Sequence, residues 1–195
     1  MPVAKGATLD PAQTRAAILS AATHLLYRHG LHGIGVAELC TTIGVSKETL
    51  YRHFGSKDGL VQAVLETRSD HVVGWLREAA LAVGDEPAAQ LAAVFDALGR
   101  WHAEPAFRGC AIVNAATQQR TGSAPAIAKR HLDRHLDLMT DIAHRAGAPD
   151  PTTLGKQLLA LIEGATILAD HHGDTDATAT AKQAALVLLH ANRRQ

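Results

Sequence analysis

Apolar residues recur along this chain at intervals of three and four, and no stretch alternates strictly between apolar and polar. That pattern predicts helices throughout. The first is announced by Asp10-Pro11-Ala12-Gln13: Asp as N-cap, Pro at the first helical position, Gln three residues on. Ile18, Ala22, Leu25 and Leu26 form its apolar face, and Gly30 stops it. A second helix over 36–43 turns Val36, Leu39, Cys40 and Ile43 inward. Gly44-Val45-Ser46 makes a tight turn, with Ser46 placed to cap a short third helix over 47–54. There Leu50 and Phe54 lie four apart and point inward, leaving Glu48 and Arg52 outside. Ser56 caps a long fourth helix, whose stripe of Val61, Val64, Leu65, Val72, Trp75, Leu76 and Ala79 runs toward Gly84.

Beyond Gly84 a larger helical block follows without a clear linker. Helices are expected at about 87–104, 106–120, 123–146, 151–172 and 174–191, with Ser123 and Asp150-Pro151 as starts and Gly147 and Gly173 as stops. The fold class is therefore all-α, four helices and then five. No internal repeat or low-complexity tail interrupts it.

Composition narrows the class but does not reveal a partner. Of 195 residues, 47% are hydrophobic and 19% charged, an ordinary globular balance. No apolar run reaches the roughly 18–20 residues that span a bilayer, and Met1 to Asp10 lack the apolar core of a signal peptide. Cys40 and Cys110 have no paired spacing, so neither a disulfide framework nor a zinc knuckle is expected, and a reduced cytoplasmic setting fits. Formal net charge is zero, and residues 1–70 hold seven basic against six acidic side chains. Charge alone does not advertise nucleic acid; the motif has to.

Two short amphipathic helices joined by a Gly-containing turn, Val36 to Phe54, form a helix-turn-helix pattern. The first helix braces the second, whose outer face suits the DNA major groove. The run Ile43-Gly44-Val45-Ser46-Lys47-Glu48-Thr49-Leu50-Tyr51-Arg52-His53-Phe54-Gly55-Ser56-Lys57-Asp58-Gly59-Leu60 sharpens the picture. With Thr14 to Ala22, Gly30 and Ala37-Glu38-Leu39, it resembles the N-terminal domain of the TetR family of transcriptional regulators. The resemblance implies a nine-helix protein with a helix-turn-helix domain over 1–56. A ligand-sensing and dimerisation domain would occupy 57–195. It implies Lys47, Glu48 and Thr49 as base readers, Arg52 within reach of guanine edges, and Tyr51, His53 and Lys57 on phosphates.

Two features depart from or strain that pattern. Many relatives carry two Thr or Ser residues leading into the second helix, where hydroxyls hold a phosphate; this chain has Gly35-Val36. Glu48 is an acid facing a polyanion, explained either as a favourable charge in a first helical turn or as a contact to a cytosine amino group.

For the sensing half, Phe107 to Ala115 resembles a stretch in one branch of the family beside the ligand cavity. Trp75, Phe95, Trp101, Cys110, Asn114, Gln118 and Met139 are the expected lining, apolar walls with a few orienting polar groups. Cys110 is also a candidate thiol sensor. His131 and His135 lie four apart on one helix, but Asp133 and Asp137 project elsewhere, so no metal site is expected. Leu154, Leu158, Leu161, Ile162 and Ala165, with Gly155 and Gly164 allowing close approach, are expected to form the dimer element with Leu188.

No nucleophile–base pair, phosphate loop or cofactor motif supports an enzyme. The reading is a ligand-responsive regulator, a repressor released from a palindromic double-stranded operator by a small-molecule effector, acting as a homodimer and not at a membrane. The alternatives are an activator or co-repressor-dependent version of the same fold, and a helical adaptor without DNA binding.

Overall fold

The computed structural model describes residues 10–30 and 33–192, so residues 1–9 of the leading segment discussed above lie outside the described residues. Among the described residues the chain forms nine α-helices and no strand. They are α1 (Pro11–His29), α2 (Val36–Ile43), α3 (Lys47–Phe54), α4 (Lys57–Leu81), α5 (Pro87–His102), α6 (Ala111–Gln118), α7 (Ala124–Arg145), α8 (Pro151–Ile167) and α9 (Ala177–Ala191), with one π-turn over Leu168–His172.

The helix starts are those the capping residues dictate. Asp10, Ser46, Ser56 and Asp150 each accept a first-turn amide on the side chain, replacing a bond the helix itself does not supply. Ser123 occupies the cap position of α7 but its hydroxyl makes no capping bond. Gly44 closes α2 in the left-handed conformation (φ 80°, ψ 30°), which a glycine adopts without strain.

The expected helix over 106–120 shortens to Ala111–Gln118. Gly109 sits at φ +68°, and the Arg108 amide donates to the Tyr27 hydroxyl 81 residues upstream instead of to a helical carbonyl. The long helix expected over 151–172 ends its α-helical part at Ile167, and the π-turn carries it on to Gly173.

Two apolar cores result. One gathers Ile18, Leu26, Leu39, Leu50, Phe54, Leu60, Val61, Val64 and Leu65 from α1–α4, and extends through Ile112, Ala115, Ile127 and Ala128 of α6 and α7. The other gathers the second half of α4 with α5, α7, α8 and α9 around the fully buried Phe95, Met139 and Leu158. Helix α4, about 37 Å long at 1.5 Å per residue, contributes to both. Between α7 and α8, Gly155 lies against Thr140, and a Cβ at Gly155 would strike the Thr140 hydroxyl.

The single chain already covers most of the residues expected to form the dimer element. Leu154, Leu158, Ile162 and Ala165 are at most 2% exposed within the single chain, because that face of α8 packs on α7 and α9. Leu188 is partly buried against the same core. Among the described residues of α8, the π-turn and α9, the large apolar side chains left outside are Ile167 (55% exposed), Leu168 (45%) and Val187 (67%); Leu81 and Val83, at and just past the end of α4, are exposed as well. No helix of the described residues is long and apolar enough to cross a membrane.

Candidate nucleic-acid interface

Helix α3 is held from behind and left open in front. Leu50 and Phe54 are buried in the first core, which fixes the helix axis against α1, α2 and α4. Lys47, Glu48, Tyr51 and Arg52 are exposed, while Thr49 and His53 are half-buried at the edges of the same face. The Ser46 hydroxyl accepts the Thr49 amide at 3.0 Å and lies 2.9 Å from the Thr49 hydroxyl, so the first turn is pre-set. The Arg15 guanidinium stands 5.1 Å above the Phe54 ring, a cation–π contact at the flank.

Glu48 has a role that neither sequence account named. Its carboxylate receives the Arg52 guanidinium at 2.6 Å, one helical turn along, with both side chains largely in solvent. The pair orients Arg52 and neutralises the acid on a face otherwise carrying cations.

Lys57, in the first turn of α4, reaches back across 23 residues to donate to the Ile34 carbonyl at 2.7 Å. That places its ammonium at the start of α2. There Gly35 is the N-cap, its backbone extended and without any side-chain capping bond. The first amides of α2 and the Lys57 ammonium thus converge on one corner, a cation beside a helix N-terminus, the arrangement that suits a phosphate. This corner stands where the missing hydroxyls of Gly35-Val36 would have acted.

The residues expected to line one ligand cavity are dispersed. Asn114 and Gln118 line a cleft of about 280 Å³ between the end of α1 and α6. Trp75 and Trp101 line another, about 420 Å³, with Arg68, His71, Arg100 and Glu104. Phe95 and Met139 are fully buried in the second core and face no solvent. Cys110 caps α6, its sulfur 3.7 Å from His131 Nε2, and burial pushes its thiol up to about 11, which holds it protonated. His131 also shares a 3.0 Å hydrogen bond with the Ser69 hydroxyl. The imidazole of His135 lies against that of His131, ring centroids 4.3 Å apart, and 4.0 Å from the Glu163 carboxylate. Burial holds His131 at about 3 and His135 at about 4. Among the described residues no three His, Cys, Asp or Glu side chains converge on a metal position.

Sequence reasoning missed the bridge from the end of α1 to the segment before α6. The Tyr27 hydroxyl receives the Arg108 amide at 2.7 Å and lies 3.3 Å from the Gly109 carbonyl, while Arg68 stacks 5.4 Å from the Tyr27 ring. No local spacing relates these residues. The one available signal was a tyrosine between the apolar Leu25-Leu26 and the basic Arg28-His29 at the end of α1.

Comparison with known proteins agrees with this architecture. Residues 18–64 match the family described as "Bacterial regulatory proteins, tetR family". The HTH-type transcriptional activator FasR of Mycolicibacterium smegmatis is 37% identical over 75 residues, 38% of this chain. That match spans about a third (34%) of FasR's length. The crystal structure of a TetR-family transcriptional regulator from Streptomyces coelicolor superposes with a TM-score of 0.85 at 26% identity, covering 94% of this chain and 97% of that one. A TetR-type regulator from Streptomyces avermitilis gives 0.80 at 31% identity, covering 92% and 97%. These relatives and their fold are those of transcriptional regulators and not of enzymes. With helix-turn-helix, long connecting helix and C-terminal bundle matched along nearly its whole length, the chain belongs to the TetR family of transcriptional regulators.

Proposed function

We propose that the protein is a homodimeric, ligand-responsive repressor that binds a palindromic operator and is released by a small molecule. The observation that carries this reading is the outward face of α3, which its own chain leaves open while Leu50 and Phe54 anchor it. In the proposal residues 1–56 are the reading head and 57–195 the sensing and dimerising part. Lys47, Thr49 and Arg52 read base edges, Arg52 once DNA draws it away from Glu48. Tyr51, His53 and Lys57 take phosphates, Lys57 together with the uncapped start of α2.

Dimerisation is assigned to the outer faces of α8 and α9, where Ile167 and Val187 stand in solvent. A twofold pair would set two α3 helices about 34–36 Å apart, one turn of DNA, hence the palindrome. Coupling follows from α4 belonging to both cores, and from the tie between Tyr27 and Arg108. A ligand that favours a head position unsuited to DNA by about 1–3 kcal/mol is sufficient.

Selection from randomised duplex DNA with the purified protein tests the reading. A palindrome should be enriched; recovery of no preferred sequence would remove the operator and the repressor with it. A second reading, activation, draws support from FasR being named an activator. Placing the selected palindrome before a reporter gene separates the two, since a repressor lowers expression and an activator raises it.

A further inference from the structure

The cleft between α1 and α6 has a lining that selects for one kind of ligand. Its apolar side is formed by Leu26, Val64, Leu65, Ala111 and Ala115. Its polar side carries Arg28, His29, Arg108, Asn114 and Gln118, and no Asp or Glu lines it. A third guanidinium, Arg68, stacks on the ring of Tyr27, itself a lining residue. In a chain of formal net charge zero this is a local excess of cations beside an apolar wall.

Arg108 is set in place from both sides of the junction. Its backbone amide donates to the Tyr27 hydroxyl of α1 at 2.7 Å, and its carbonyl accepts from the Asn114 side-chain amide of α6 at 2.9 Å. Its guanidinium is anchored through Nη1 to the Pro105 and Phe107 carbonyls, bonds that a bound carboxylate would share or displace. The Asp170 carboxylate reaches Gly109 next door without joining the lining, so it tempers the local potential.

We propose that this cleft binds a small amphipathic carboxylate, its headgroup on Arg28 and Arg108 and its hydrocarbon part on Leu26, Val64 and Leu65. Guanidinium groups favour carboxylates through paired, charge-assisted hydrogen bonds. A volume of about 280 Å³ lies at the small end of ligand clefts, which fits a short-chain or single-ring acid and excludes a long lipid. One wall belongs to the reading head and the other to the sensing part, so an occupant bears directly on the angle between them. That last consequence rests on the ligand-responsive reading above; the binding does not.

The test is calorimetric titration of the full-length protein, free of DNA, with hexanoate, octanoate and phenylacetate, each against its primary amide. At least one acid should bind about tenfold or more tighter than its amide. Arg28→Met and Arg108→Met should each weaken that acid about tenfold, and Asp170→Asn should strengthen it. The near-isosteric Gln118→Glu, which puts a carboxylate into the wall and leaves the bond between Asn114 and Arg108 in place, should abolish acid binding and spare the amide, guarding against loss of fold in the arginine variants. If no acid outcompetes its amide, or the acid is indifferent to all these substitutions, the inference is wrong. If the acid binds as described yet leaves DNA affinity unchanged, the site stands and the ligand-responsive reading fails at this cleft.

Discussion

The Glu48 carboxylate and the Arg52 guanidinium meet at 2.6 Å on the exposed face of α3, so the one acid on the reading surface is spent on holding one of its cations. This bears on affinity for DNA more than on stability, because a pair in solvent contributes little to folding, about 0.3–0.5 kcal/mol at helical i,i+4 spacing.

Glu48→Gln should therefore leave the melting temperature nearly unchanged and tighten binding to DNA. Two effects add: a negative charge leaves the face, and Arg52 becomes available to a phosphate or guanine. Titration at two salt concentrations checks it, with a steeper salt dependence expected for the variant. Weaker binding by Glu48→Gln would mean that the carboxylate itself touches a base.

Gly35→Ser should stabilise the reading head. The cap position is extended (φ −75°, ψ 157°), a Cβ there meets nothing within 4 Å, and no side chain now caps α2. Serine in place of glycine at such a site is worth a few tenths of a kcal/mol. A denaturation midpoint that falls would show the site to be less open than described.

Acid should destabilise the protein through its buried imidazoles. His131 and His135 are held neutral at about 3 and about 4, burial being the main cause for each, with the His135 imidazole acting next on His131 and Arg134 next on His135. In the unfolded chain both protonate near 6.5, so below that pH the unfolded state binds more protons. Their contribution is thus fully present above about pH 6.5 and is lost as the pH falls toward about 4 and then 3. His135→Leu should flatten this limb by on the order of 1–2 kcal/mol at pH 5 relative to pH 7.5. Neither ring nitrogen of His135 has a hydrogen-bond partner among the described residues, so the substitution breaks no hydrogen bond. Chemical denaturation at the two pH values provides the comparison.

The two faces of the C-terminal helices should respond in opposite ways. Leu158→Ala, in the core, should cost about 2–5 kcal/mol. Val187→Asp, in solvent on α9, should leave the folded chain intact and shift sedimentation from dimer to monomer. A dimer that survives Val187→Asp and Ile167→Asp together would place the interface elsewhere.

The helix-turn-helix was legible because its information is local. Gly44, Ser46, Leu50 and Phe54 lie within eleven residues, and each fixes a turn, a cap or a buried face by its own chemistry. Helix α6 was misjudged because its start depends on Tyr27, 81 residues from the Arg108 amide it captures. The α8 stripe was recognised as buried, but periodicity gives the buried face without naming what covers it. Here α7 and α9 of the same chain cover it. The pairing of Glu48 with Arg52 was within reach, since four-residue spacing on a helix brings such side chains together.

The most direct test of the central claim uses the palindrome recovered by selection, in anisotropy titrations of the wild type, Thr49→Ala, Tyr51→Phe and Lys47→Ala. The α3 assignment predicts that Thr49→Ala relaxes sequence preference at the positions it touches, costing about 1–3 kcal/mol against the preferred base. Lys47→Ala should weaken binding about tenfold if its ammonium reaches a base edge, and Tyr51→Phe should weaken all sequences alike through a lost phosphate bond. Unchanged affinity and unchanged preference in all three variants would contradict the account, for α3 would then not be the element that reads DNA.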